Sequence, residues 1–122
     1  MEKFMFIIRE DLKRLASLSE KQRQEEIPPM LQWVEGIAEG GNYIQGEPLI
    51  PNGHYVRKDE VLSDGPFIES KEGISGFVMI TAEGIEQATA IAQTCPLVTR
   101  GIGAVEVRPF MTVPPELQVK NR

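Results

Sequence analysis

An α+β fold follows from three features of the sequence. Short runs with strand character alternate with two segments of helical periodicity, and two of the runs, Phe4–Ile8 and Phe77–Ile80, are apolar throughout. Turn residues crowd into one stretch between the first helical segment and the second of those runs. In order, the elements read strand, helix, strand with an extra hairpin, strand, helix, strand. This is the βαββαβ pattern of a ferredoxin-like domain, an antiparallel sheet with two helices on one face. A chain of 122 residues holds one such core, because a second would need about 100 residues more. The domain is expected to span 1–113, with 114–122 as a loose polar tail.

The first strand is Phe4-Met5-Phe6-Ile7-Ile8, bounded by Lys3 and by Arg9-Glu10-Asp11. Aromatic and β-branched residues without alternation mark a strand buried on both faces. Ser19 with Gln22 three residues on has capping-box spacing, and Ser17 with Glu20 offers the same one register earlier, so a helix is expected to start near there. Ile27, Met30, Leu31, Val34, Ile37 and Ala38 are its predicted apolar face. Pro28-Pro29 predicts a kink or a restart, since proline has no N–H to continue the ladder. Gly40-Gly41 predicts the end, with glycine free to take the left-handed conformation.

Asn42–Gln45 reads as a short strand, followed by a loop punctuated by Gly46, Pro48, Pro51 and Gly53. His54–Lys58 and Glu60–Ser63 flank Asp59 as the arms of a hairpin. Phe77–Ile80 is the next strand, after a polar loop from Asp64 to Ser75. A second helix is predicted from near Gly84, turning Ile85, Ala88, Ile91, Ala92 and Cys95 inward and stopping at Pro96. The last strand, Ala104–Phe110, alternates Val105 and Val107 with Glu106 and Arg108, so its two faces differ.

Composition removes several function classes. The net charge of -5 has the wrong sign for neutralising phosphates, so no nucleic-acid partner is expected. Nine prolines and eleven glycines stay below the roughly 25–30% that marks low complexity. The lone Cys95 and lone His54 exclude an internal disulfide and a zinc site built from Cys and His, and a reducing cytoplasm fits. The opening apolar run is too short for a signal peptide or a spanning helix, so no membrane is expected and the mature chain is expected to start at Met1. No glycine-rich phosphate loop, nucleophile elbow or metal motif is present, and no cofactor is expected.

Two helices cover one face of the sheet, yet two strands are apolar on both. A second copy of the chain is the simplest cover for the other face, and two such sheets enclose a cavity lined from both sides. The alternative is a monomer whose own tail or hairpin folds over the sheet.

Asp64-Gly65-Pro66-Phe67, followed by Glu69, Lys71-Glu72 and Gly76-Phe77, resembles the signature of the YCII-related, or DGPF-domain, family. Arg9 at the end of the first strand, Gly46 and the closing Glu106-Val107-Arg108-Pro109 extend the likeness from Phe4 to Phe110. The resemblance implies a dimeric α/β-barrel architecture akin to muconolactone isomerases and antibiotic-biosynthesis monooxygenases. Of chemistry it implies little; some members sit beside, or are fused to, extracytoplasmic-function sigma factors. The histidine–aspartate pair proposed for the YciI branch has no motif match here, since His54 lies in the insertion.

On physical grounds Asp64-Gly65-Pro66 is a rigid turn, with Phe67 as a core plug. Glu69, Lys71 and Glu72 admit two readings. One is an ordinary solvated loop. In the other the segment aims a carboxylate and an ammonium into the cavity, where a carboxylate raised toward neutrality serves as general base. Glu69, Glu72 and Asp64 are therefore the catalytic candidates and Lys71 a binding candidate. Glu106 and Arg108 lie opposite the valines, so Arg108 can fork onto a substrate carboxylate or pair with Glu106. Arg9, which closes the first strand, is a third candidate for this polar cluster. His54 is a natural acid or base only if its loop folds over the cavity. Cys95 reads as core, while Trp33 and Tyr43 suit either packing or a pocket wall. Two functions remain open. One is a small cofactor-independent enzyme doing proton transfer, isomerisation or lactone chemistry on an acidic or carbonyl metabolite. The other is a non-catalytic dimer that binds a metabolite or a regulatory partner.

Overall fold

The computed structural model describes residues 1–50, 53–63 and 72–119. Among the described residues six strands and four α-helices follow in chain order, with a 3-10 turn at Pro115–Leu117: β1 Glu2–Asp11, α1 Leu12–Ser17, α2 Glu20–Glu39, β2 Tyr43–Pro48, β3 His54–Arg57, β4 Glu60–Ser63, β5 Glu72–Ala82, α3 Ile85–Gln93, α4 Pro96–Thr99 and β6 Gly103–Pro109. Strands β2-β5-β1-β6 form one antiparallel sheet in that order, and β3-β4 form a separate hairpin. With the hairpin set aside this is the ferredoxin-like topology, an open sheet rather than a closed barrel.

Alternation along β1 sends Phe4, Phe6 and Ile8 to one face, where they are buried with Val78, Ile80 and Ala82 of β5. Helices α2 and α3 cover that face through Trp33, Ile37, Ala88 and Ala92, and Cys95 and Leu97 complete the core. The Trp33 ring stacks on Phe6 at a centroid distance of 6.0 Å, and its Nε1 donates to Thr94 Oγ1 at 2.9 Å. On the opposite face Met5, Ile7, Phe77 and Met79 are half-buried.

Local signals explain most boundaries. The capping box at Ser19 and Gln22 is formed in both directions. Gly41 takes φ +79° just past α2, the conformation that frees the chain to turn back into β2. Pro96 stops α3 as expected but also opens α4, where a missing N–H costs nothing in the first turn.

Four expectations are corrected. Helix α2 runs unbroken through Pro28 and Pro29. The carbonyls they leave unpaired belong to Gln24 and Glu25, which are exposed and open to water. Its core face is Met30, Trp33, Val34 and Ile37, whereas Ile27 and Leu31 are more than half exposed and Ala38 also faces out. The bulk of Trp33 sets this rotation, and Ile85 of α3 likewise turns out, not in. Strand β2 continues to Pro48 where a loop was expected. A Cβ on Gly46 would lie 2.9 Å from the Phe77 carbonyl oxygen, so only glycine lets the strands approach, and Pro48 is tolerated because β2 is an edge. Helix α1 was not foreseen; Asp11 caps it, accepting from Lys13 N at 2.9 Å.

Candidate functional site

Antiparallel pairing decides which polar groups meet on the face away from the helices. Ile7 lies opposite Glu106 and Phe77, and Met5 lies opposite Arg108 and Met79. Arg9 follows two residues after Ile7, so it shares that face with Glu106 and Arg108. Its Nε donates to Glu106 Oε1 at 3.0 Å and its Nη2 forms an ion pair with the same oxygen at 2.9 Å, while Arg108 Nε forms an ion pair with Oε2 at 2.7 Å. One carboxylate thus fixes two guanidiniums and leaves the cluster one positive charge in excess. Arg108 remains 68% exposed, and its terminal N–H groups are uncommitted within the cluster, the geometry that grips a carboxylate or enolate oxygen.

Three of the sequence-derived binding residues, Arg9, Glu106 and Arg108, therefore come together. His54 does not join them, because it is an exposed residue of β3 in the separate hairpin. Asp64, Glu69 and Lys71 lie outside the described residues. Glu72 is placed by its backbone alone, paired with Asp11 at the end of β1 that carries Arg9. Among the described residues no group of His, Cys, Asp and Glu is arranged to hold a metal ion. No described helix is long and apolar enough to cross a membrane.

A second ionic cluster was missed. Arg14 pairs closely with Glu26 and stands 4.0 Å from Glu10, while Arg100 reaches Glu26 at 3.8 Å. Hydrogen bonds donated to Glu26 hold the Arg14 guanidinium above its ordinary range. Glu10 and Arg14 have helical i,i+4 spacing, but β1 ends between them, so periodicity gave no signal for the pair. The cluster ties α1 to α2 and α4 on the helix side, where a groove of about 400 Å³ between α2 and α3 is lined by Trp33, Gly36, Ile91 and Thr94. No ionisable side chain lines that groove, so it offers no acid or base.

Cys95 sits in the core with its Sγ 3.9 Å from Met30 Sδ, and burial pushes its thiol up from the ordinary 9.0. The folded state therefore favours the protonated thiol. That preference is fully present below the unfolded thiol pKa and is lost as pH rises through the folded value. Urea midpoints are expected to fall as pH rises beyond about 9, and Cys95→Ala is expected to flatten that fall while lowering stability at neutral pH. An equal slope in both proteins would remove the thiol as its cause.

Comparison with known proteins places this architecture. Among solved structures, 5-chloro-2-hydroxyhydroquinone dehydrochlorinase (TftG) from Burkholderia phenoliruptrix AC1100, in complex with 2,5-dihydroxybenzoquinone, is similar at a TM-score of 0.56 and 15% identity, over 89% of this chain and 93% of that one. Likeness at that identity is likeness of fold. No curated protein matches the chain significantly. The family model described as the YCII-related domain matches residues 3–111. A match over that span, together with the sheet order described above, establishes that the chain belongs to the YCII-related domain family.

Proposed function

We propose that the chain is a small cofactor-independent enzyme that moves a proton on an acidic or carbonyl metabolite, in a cavity that a second copy of the chain closes. The observation that carries this reading is the Arg9–Glu106–Arg108 cluster beside the apolar patch of Met5, Ile7, Phe77 and Met79. An excess positive charge against an apolar wall suits a flat, oxygen-rich anion. Arg108 binds its oxygen, Arg9 and Arg108 together stabilise negative charge that develops there as a proton leaves, and Glu106 keeps both guanidiniums in place. Glu69 or Glu72 takes the proton; the backbone of Glu72 opens β5 opposite Asp11, two residues beyond Arg9. The ligand named for TftG, 2,5-dihydroxybenzoquinone, belongs to the class this site suits and supplies a probe.

In calorimetric titration with 2,5-dihydroxybenzoquinone, Arg108→Gln and Arg9→Gln are each expected to weaken binding about 10- to 100-fold, the worth of one or two charge-assisted hydrogen bonds. Arg108 is exposed enough for its loss to leave the fold intact. Affinity unchanged in both variants would remove the site. With 2-oxo acids in heavy water, proton transfer is expected to place deuterium beside the carbonyl, and Glu69→Gln with Glu72→Gln to abolish it.

One observation favours a second reading. Glu106 is already committed to two arginines, as befits a holder of anions, not a base. Arginine-dependent binding with no deuterium exchange would make the chain a metabolite-binding regulatory dimer.

A further inference from the structure

Across the strands, the sheet face away from the helices has an apolar middle and polar margins. One row runs Glu47, Phe77, Ile7, Glu106 over β2, β5, β1 and β6, and the next runs Gln45, Met79, Met5, Arg108. Residues directly opposite in a ladder share a face, so Glu47 stands on the same side of the sheet as the arginine cluster. It is exposed, and none of the ion pairs among the described residues includes it. Three strand spacings of about 4.8 Å put it roughly 14 Å from Glu106, on the far side of the apolar middle. The β6 margin is positive. Arg9 and Arg108 outweigh Glu106, and Lys3 of the same face leans toward that margin, with Nζ 4.9 Å from the centre of the Phe110 ring. An apolar centre inside a polar rim is the anatomy of a protein interface.

We propose that two copies of the chain pack these faces together about a two-fold axis running along the strands, so that Glu47 of each copy meets Arg108 of the other. The inference rests on the homodimer reading above and deepens it by giving each arginine cluster a carboxylate from the partner.

Charge complementarity points to a copy of the same chain as the occupant and chooses the axis. Two sheets can align face to face about an axis along the strands or an axis across them. The first lays β2 of one copy over β6 of the other at the same level. Glu47 then stands over the cluster that carries one positive charge in excess, and symmetry makes the contact twice. The second axis lays β2 over β2 and β6 over β6, which sets carboxylate against carboxylate and guanidinium against guanidinium, an arrangement that like charges disfavour. Reach agrees with the first. Packed sheets lie about 10 Å apart, a gap that a glutamate and an arginine extended toward each other close. The apolar rows then meet at the centre, Met5, Ile7, Phe77 and Met79 of one copy facing those of the other, with an ion pair at each margin. In such a dimer the group proposed to grip an acidic substrate has a carboxylate of the second subunit beside it, so neither copy forms the whole site alone.

Sedimentation of the full chain tests the proposal with Glu47→Arg and Arg108→Glu, made separately, at two positions that the subunit leaves exposed. The wild type is expected at about 27 kDa, twice the subunit mass. Each variant is expected to keep its circular dichroism spectrum while its dimer dissociation constant rises about 10- to 100-fold, because two attractive contacts become repulsive. An equimolar mixture of the two variants is expected to dimerise as tightly as the wild type, since each contact of the mixed dimer again joins opposite charges. The double variant keeps the net charge of -5 and is expected to recover in the same way. A pairing of the two positions inside one chain would be rescued in the double variant and not in the mixture, and that result would overturn the proposal. A wild-type dimer that Glu47→Arg leaves equally tight would overturn the axis and its contacts while leaving the dimer standing; a monomeric wild type would overturn both.

Discussion

Trp33→Ala is expected to lower the unfolding free energy by about 3–5 kcal/mol, a large share of the stability of a domain this size. The ring lies flat on Phe6, an interplanar angle of 17°, at the junction of α2 with the centre of the sheet. Its Nε1 also donates to Thr94 Oγ1 and to the Ile91 carbonyl at 3.3 Å, which binds α2 to the end of α3. Truncation removes the packing and the hydrogen bonds together. Trp33→Phe keeps much of the first and loses the second, so it should cost about 1–2 kcal/mol more than repacking alone. Urea unfolding followed by circular dichroism separates the two. A loss under 1 kcal/mol for the alanine variant would mean that α2 is held mainly by the Arg14–Glu26–Arg100 cluster at its other end.

That same residue marks the limit of what periodicity revealed. The stripe Ile27, Met30, Leu31, Val34, Ile37, Ala38 counted aliphatic side chains; Met30, Val34 and Ile37 do face the core, while the fold counted volume, turned α2 toward Trp33 and left Ile27, Leu31 and Ala38 outside. The strands were easier to read, because unbroken apolar runs in β1 and β5 and strict alternation in β6 have one solution on a two-faced sheet. Parity alone put Glu106 and Arg108 on the face away from the helices. Arg9 was legible as the residue that closes β1, but its meeting with Glu106 rests on the register of β1 against β6, which no local pattern encodes. Helix α1 and the extension of β2 to Pro48 were hidden for a related reason. Asp11 caps a helix that follows a strand without a loop, and Gly46 and Pro48 look like turn residues until an edge strand makes use of them. The Glu10–Arg14–Glu26 cluster joins residues from three elements and exists only after packing.

Because the site depends on strand pairing, a substitution at a residue outside the charged cluster should damage it. Gly103→Val is expected to destabilise the fold by about 3 kcal/mol, at the upper end for overpacking. A Cβ at Gly103 would lie 2.9 Å from the Arg9 carbonyl oxygen and 3.0 Å from Leu97 Cβ. The first contact is backbone, so no rotamer relieves it, and the second blocks the retreat toward α4. Strand β6 must then move away from β1 just where Gly103 pairs with Glu10, one step from the Arg9–Ala104 pair. Glu106 travels with it and parts from Arg9. Binding of 2,5-dihydroxybenzoquinone should weaken about tenfold, the cost of one misplaced charged group, although every group of the cluster is still present. Gly101→Ala is the control. With φ at +68° it should cost about 1 kcal/mol through backbone strain, yet it lies in the turn before β6 with open space around it and should leave affinity unchanged. Equal effects of the two variants on affinity would mean that binding follows global stability and not the spacing of β6 from β1.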